Sequence, residues 1–202
     1  MKKHLLCIML LFFIGLSVSA EKKVSSFSMS YLNNKEYDIQ ASEVKSGKFS
    51  YFIFADSKEE NGICGVQLKS DKIQELTDCL RQIETKYKEW SETAKNNNVT
   101  DFDKSFDIAL PKMDCFFKYG SKWCFDYGWK IKPYFKVTTD GDCLVVINIP
   151  QLTSAGNRFM HHLGMMFAFK SIEEIENFIK AIDPSHALSN SEETQKKEDL
   201  FK

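Results

Sequence analysis

The stretch MDCFFKYGSKWCFDYGW, residues 113–129, decides how the chain folds. Successive side chains of a strand point to opposite faces, and both halves of this stretch alternate with that period. Met113, Cys115, Phe117 and Tyr119 form one apolar set, and Trp123, Phe125, Tyr127 and Trp129 form the other. Gly120-Ser121 between them predicts a β-hairpin. The two sets share a face only if odd positions pair with odd, as in a three-residue loop with Gly120 in the left-handed conformation. That register puts Trp123, Phe125 and Tyr127 in the core beneath a helix. It turns Cys124 and Asp126 away from Cys115, because burial of six aromatic rings outweighs one Cys115–Cys124 bond. Trp129 and Tyr134, near the strand ends beside Lys130, Lys132 and Pro133, are then the rings placed for exposure.

Outward from this hairpin the strand pattern continues in both directions. Residues 131–139 and 142–149 predict a second hairpin across Asp140-Gly141, and 158–169 a final strand. Upstream, strands are expected at 27–32 and 36–40 around Asn33-Asn34, and at 49–54 and 63–68 around the turn-rich 56–62. Asp101 to Asp107 alternates too, with Phe102 and Phe106 on one face. Asp101, Asp103, Ser105 and Asp107 mimic the opening of a calcium loop, but its glycine position holds Phe106 and its closing glutamate position holds Lys112.

Two segments change to a helical period. Ile73, Leu76, Leu80, Ile83, Tyr87, Trp90 and Ala94 form one stripe and predict a helix over about 71–95, started by Ser70 or Asp71 and stopped at Asn96–Asn98. Ser171 and Glu174 form a capping box before Ile172, Ile175, Ile179 and Ile182, a helix over 172–182 that Pro184 ends. The expected fold is α+β: a mainly antiparallel sheet with both helices packed on one face, within one domain of residues 21–183. Leu68-Lys69-Ser70 and Phe169-Lys170-Ser171 each lead from a strand into a helix, which suggests a repeated strand–strand–helix unit. Residues 184–202 carry no apolar period and read as a mobile tail.

The first twenty residues read as an address. A basic start, Met1 to His4, precedes an apolar run from 5 to 16 and then Val18-Ser19-Ala20, the form of a cleaved secretory signal peptide. The run is too short to span a bilayer as a helix, so no stable membrane anchor is expected after cleavage. The destination is periplasmic or extracellular. Cleavage after Ala20 removes Lys2 and Lys3 and no acid, leaving 25 basic against 28 acidic residues, a net charge of −3. That balance gives no footprint for nucleic acid. It also leaves Cys64, Cys79, Cys115, Cys124 and Cys143, an odd number, so at least one thiol is free or pairs between chains.

Catalytic signatures are missing: the sequence holds no G-x-S-x-G, H-E-x-x-H, C-x-x-C, phosphate-binding loop or dinucleotide glycine pattern. No cofactor is implied. The expected function is an exported, non-enzymatic binding or accessory protein contacting a protein or glycan, with Trp129, Tyr134, Arg158, His161 and His162 as candidate ligand contacts. The alternative is a secreted hydrolase assembled from separate strands around His161, Arg158 and Asp126. A third reading uses Met160, His162 and Met166 as soft metal ligands. Along one continuous strand Met160 and Met166 would stand about 20 Å apart, too far for one ion.

Overall fold

The computed structural model describes residues 21–45, 48–189, 196 and 200. The expected signal peptide and most of the 184–202 segment lie outside them. The fold is α+β and antiparallel, and its strands divide between two sheets. The first contains β1 (Lys22–Met29), β2 (Lys35–Lys45), β3 (Lys48–Phe54), β5 (Cys64–Lys69), β7 (Met113–Tyr119) and β8 (Lys122–Trp129), neighbours in that order. The second runs β4 (Asp56–Ser57), β13 (Met165–Phe169), β10 (Cys143–Ile149), β9 (Tyr134–Val137) and β6 (Phe102–Ser105). A small hairpin, β11 (Leu152–Ser154) with β12 (Asn157–His162), is inserted between β10 and β13.

The helices α1 (Ile73–Asn96) and α2 (Ile172–Ala181) join these sheets into one core. Phe178 of α2 sits 4.7 Å from Phe27 of β1 and 5.2 Å from Phe169 of β13, measured between ring centres. On α1, Tyr87 and Trp90 close on Phe135 of β9 at 6.1 and 5.8 Å. A fully buried apolar side chain contributes about 1.5–3 kcal/mol, so these rings act together with Leu76, Leu80 and Ile83 of α1 and Ile175 and Ile179 of α2 in attaching the helices. The Tyr87 hydroxyl lies 2.6 Å from the Lys170 carbonyl and 3.0 Å from that of Cys143, fixing α1 against both β10 and the start of α2.

Capping follows the expectation at one helix and departs from it at the other. Ser171 Oγ accepts the Glu174 N–H at 3.1 Å, while the Glu174 carboxylate reaches the N–H of Lys170 at 2.7 Å and that of Ser30 at 3.0 Å. Helix α1 has no side-chain cap: a 3-10 turn, Ser70–Lys72, leads into it, and Ser70 Oγ accepts the Phe49 N–H. Asn98 supplies the left-handed residue beyond its end (φ 50°). The echo in the sequence is present in the backbone, since β3 pairs with β5 before α1 and β10 pairs with β13 before α2. Beyond Pro184 the chain winds a further turn over residues 185–189 and buries Ala187.

Three expectations are corrected. The β7–β8 turn has two residues: Tyr119 faces Lys122, Phe117 faces Cys124 and Cys115 faces Asp126. Odd positions therefore pair with even, Cys124 points inward with Cys115 and Phe117, and the Trp123, Phe125 and Tyr127 rings stand on the opposite face. The stretch 158–169 is two strands, broken where Gly164 takes φ 99° with no room for a Cβ against the Ile149 and Pro150 backbone. The run 101–107 is not one strand, for β6 ends at Ser105, and although Phe102 and Phe106 both lie toward α1 only Phe106 is buried.

Candidate functional site

The two-residue turn places the aromatic rings of β8 on the outer face of the first sheet. Trp123 and Tyr127 on β8 are 47% and 61% exposed, and Phe125 and Tyr127 lie parallel at 6.2 Å. Next to them Phe116 of β7 is buried, edge-on to Trp123 at 5.8 Å and to Phe54 of β3 at 5.2 Å. Phe116 reaches Phe54 by lying across β5, and Gly65 makes that crossing possible. A Cβ at Gly65 would stand 2.5 Å from the Phe116 ring and 2.3 Å from the Ile53 carbonyl oxygen. A shallow apolar hollow of about 140 Å³ between Phe52, Phe54, Phe116, Trp123 and Phe125 is bordered by Glu21.

Phe54 also lines a second, polar hollow of about 260 Å³ with Lys35, Glu36, Asp38, Gln40 and Gly62. The two hollows therefore share a wall, giving one surface that passes from flat rings on β8 to charged and amide groups on β2. Neighbouring strands are about 4.8 Å apart, so this surface crosses roughly 19 Å of sheet. Lys23 holds Glu36 and Asp38 at 3.3 and 2.6 Å, and the Tyr37 hydroxyl donates to Asp56 at 2.8 Å. These bonds fix the polar end before any ligand arrives.

The residues singled out by sequence are not brought together. Trp129 is half-buried against the core at the end of β8, while Tyr134 is half-buried on β9 of the other sheet, where burial raises its hydroxyl pKa. The exposed rings of β8 are instead Trp123 and Tyr127, which the odd-with-odd register had assigned to the core. Arg158 is exposed, its guanidinium 5.1 Å from the Phe159 ring centre. His161 Nδ1 meets Thr153 Oγ1 at 3.1 Å, and the Thr153 N–H donates to Asp126 at 2.9 Å. Asp126 is thus occupied by main chain, and Thr153 separates it from His161.

His162 is the most enclosed of these residues, 1% exposed and 5.6 Å from the Phe117 ring. The Gly164 N–H donates to its Nδ1 at 3.0 Å, which places the imidazole proton on Nε2, 3.1 Å from Ser57 Oγ and 3.8 Å from the Glu59 carboxylate. A serine, a histidine and a glutamate within reach of one another suggest a hydrolytic triad. The arrangement has the wrong polarity: a general base must present a lone pair to the serine, whereas Nε2 presents its proton. Burial holds the imidazole below the ordinary histidine range, against the opposing pull of Glu59. Gly62 closes over the pair, since a Cβ there would meet Ser57 Oγ at 2.1 Å and His162 Nε2 at 2.9 Å.

Both ring nitrogens of His162 are engaged, and Met160 and Met166 lie on strands of different sheets, so they do not form one soft-metal set with it. Among the described residues no cluster of three histidine, cysteine, aspartate or glutamate side chains is arranged to hold a metal ion. All five described cysteines are free thiols. No described helix is long and apolar enough to cross a membrane. No known protein family, curated protein or solved structure matches the chain.

Proposed function

We propose that this is an exported, non-enzymatic binding protein whose outer sheet face takes a glycan chain. One observation carries this reading: the aromatic rings of β8 and the polar groups of β2 form a continuous surface through Phe54. Sugars have flat C–H faces that stack on Trp and Tyr and hydroxyl rims that need carboxylate, amide and ammonium partners. A surface offering both in sequence suits such a ligand better than a purely apolar protein contact does. The reading keeps the expected function and moves its site from Trp129 and Tyr134 to Trp123 and Tyr127.

Export is part of the proposal. Expressed in its own host, the protein should leave the cytoplasm and begin at Glu21 by amino-terminal sequencing. Recovery in the cytoplasm with Met1 intact would refute that part alone. For binding, the test is affinity electrophoresis through gels carrying soluble linear and branched polysaccharides. Retardation by at least one polymer, lost in Trp123→Ala and Tyr127→Ala, is expected. Absence of retardation across the panel, or retardation that both variants retain, overturns the glycan reading.

A further inference from the structure

A separate cleft of about 340 Å³ lies between the C-terminal half of α1 and the edge strand β6. Its walls are Trp90, Thr93, Ala94, Val99, Phe102 and Phe135, with Thr93 exposed on α1, and the one charged group lining it is Lys104. Phe102 and Lys104 pair with Val137 and Phe135 of β9, so both project from the inward face of the edge strand, toward α1. The cleft is at the small end of the ~300–1,000 Å³ typical of small-molecule sites.

Its charge is unbalanced. Phe106 stacks on Trp90 at 5.0 Å and 5°, and the Lys104 ammonium stands over the same ring, 4.3 Å from its centre. The Lys86 ammonium approaches the same ring at 5.5 Å. Lys104 has no ion pair with a carboxylate among the described residues, and its neighbour Asp103 is held by Lys136 at 3.2 Å on the opposite face of β6. A cation resting on an aromatic face gains about 0.5–1 kcal/mol at an exposed site, less than a charge-assisted hydrogen bond to an anion supplies. An arriving carboxylate therefore draws Lys104 off the ring at little cost and leaves the ring free to stack.

We propose that this cleft binds a small hydrophobic carboxylate, its flat body between Trp90 and Phe102 and its anionic group on Lys104. An inward-pointing lysine on an edge strand also guards against strand-to-strand association, and that role needs no ligand. The two readings separate experimentally. The purified protein is titrated by calorimetry with naphthalene-2-carboxylate and with its neutral analogue naphthalene-2-carboxamide.

The expected result is saturable binding of the carboxylate, with the carboxamide weaker by about tenfold or more, the worth of one charge-assisted hydrogen bond. Lys104→Gln, at an exposed strand position, should reduce the carboxylate to the affinity of the carboxamide. Thr93→Trp, which fills the mouth, should abolish both, whereas Trp123→Ala on the distant sheet face should change neither. Equal affinity for the two probes, carboxylate binding that survives Lys104→Gln, or no saturable binding by the unaltered protein overturns the proposal. An unaltered protein that binds neither probe while Lys104→Gln self-associates would assign the lysine to edge protection instead.

Discussion

Ser57 and His162, 105 residues apart in the chain, meet at 3.1 Å, and their contact ties the inserted β11–β12 hairpin to the strand by which the two sheets are fastened to each other. Ser57 belongs to β4, the two residues by which the β3–β5 connection of the first sheet enters the second. The fastening is reinforced by main chain, the Lys58 N–H donating to the Gly164 carbonyl at 3.0 Å and the Leu163 N–H to Glu59 at 2.7 Å. A protonated imidazole would turn a second N–H against the N–H of Gly164, so the fastening requires neutral His162.

Stability should therefore fall in mild acid. Burial lowers the folded-state pKa of His162, so below the ordinary value of about 6.5 the unfolded chain binds a proton that the folded chain refuses. The stabilisation is complete above that value and is lost as the pH drops from it toward the folded pKa, with a slope of at most ~1.4 kcal/mol per pH unit. Denaturant unfolding between pH 7.5 and 5 should show the slope, and His162→Gln should flatten it. An unchanged slope in that variant would contradict the assignment.

Replacing Gly65 by Ala should cost about 1–3 kcal/mol, because the new methyl meets a main-chain oxygen and the Phe116 ring at once. Phe116→Ala should cost about 3–5 kcal/mol as a buried ring is lost. Trp123→Ala, which removes a half-exposed ring held edge-on by Phe116 and approached by the Lys118 ammonium, should cost no more than about 1.5 kcal/mol. Urea midpoints measured on the three variants would check the ranking. A Trp123→Ala midpoint as low as that of Phe116→Ala would mean the outer rings are core after all.

Thiol chemistry should distinguish Cys79 from the other four. Cys64, Cys115, Cys124 and Cys143 are buried, and desolvation raises the Cys64 thiol to about 12 and that of Cys115 further still. Cys79 is partly open to solvent, though its pKa is also raised by burial. With an aromatic disulfide reagent at pH 8, about one of the five described thiols should react quickly in the folded protein, and all five in denaturant. Loss of the fast thiol in Cys79→Ser would confirm its identity, and a fast reaction of several thiols in the folded state would contradict their burial.

Much of the framework was legible in the sequence. The stripe from Ile73 to Ala94 specified α1, and Ser171 with Glu174 specified the start of α2, because helix periodicity and capping are local. The turns at Asn33-Asn34 and Gly141 were legible for the same reason: all three residues adopt positive φ. The site was not. Its location depended on whether two or three residues turn the β7–β8 hairpin, and β7, with rings on opposite faces at Phe116 and Phe117, is apolar on both, so alternation could not choose. Gly65 offered a clue, since glycine inside a strand often marks the close approach of another group. The division of 158–169 at Gly164 placed His162 between the sheets instead of on a solvated strand, and only the fold reveals that Ser57 waits there.

The docking of β1 on α2 sets when folding can finish. Phe27 packs on Phe178, Ser25 donates to the Ala181 carbonyl, and Glu174 holds the Ser30 N–H, so β1 completes its packing only when α2 is in place. A chain emerging from the ribosome, or threading through a membrane pore amino end first, cannot complete its core until residues 172–181 have followed. Until then β1 can rest on β2, but the face bearing Phe27 and Met29 stays open to water. If the chain is exported, as proposed, and crosses unfolded, this is an advantage, because the native state closes only when residues 172–181 have arrived.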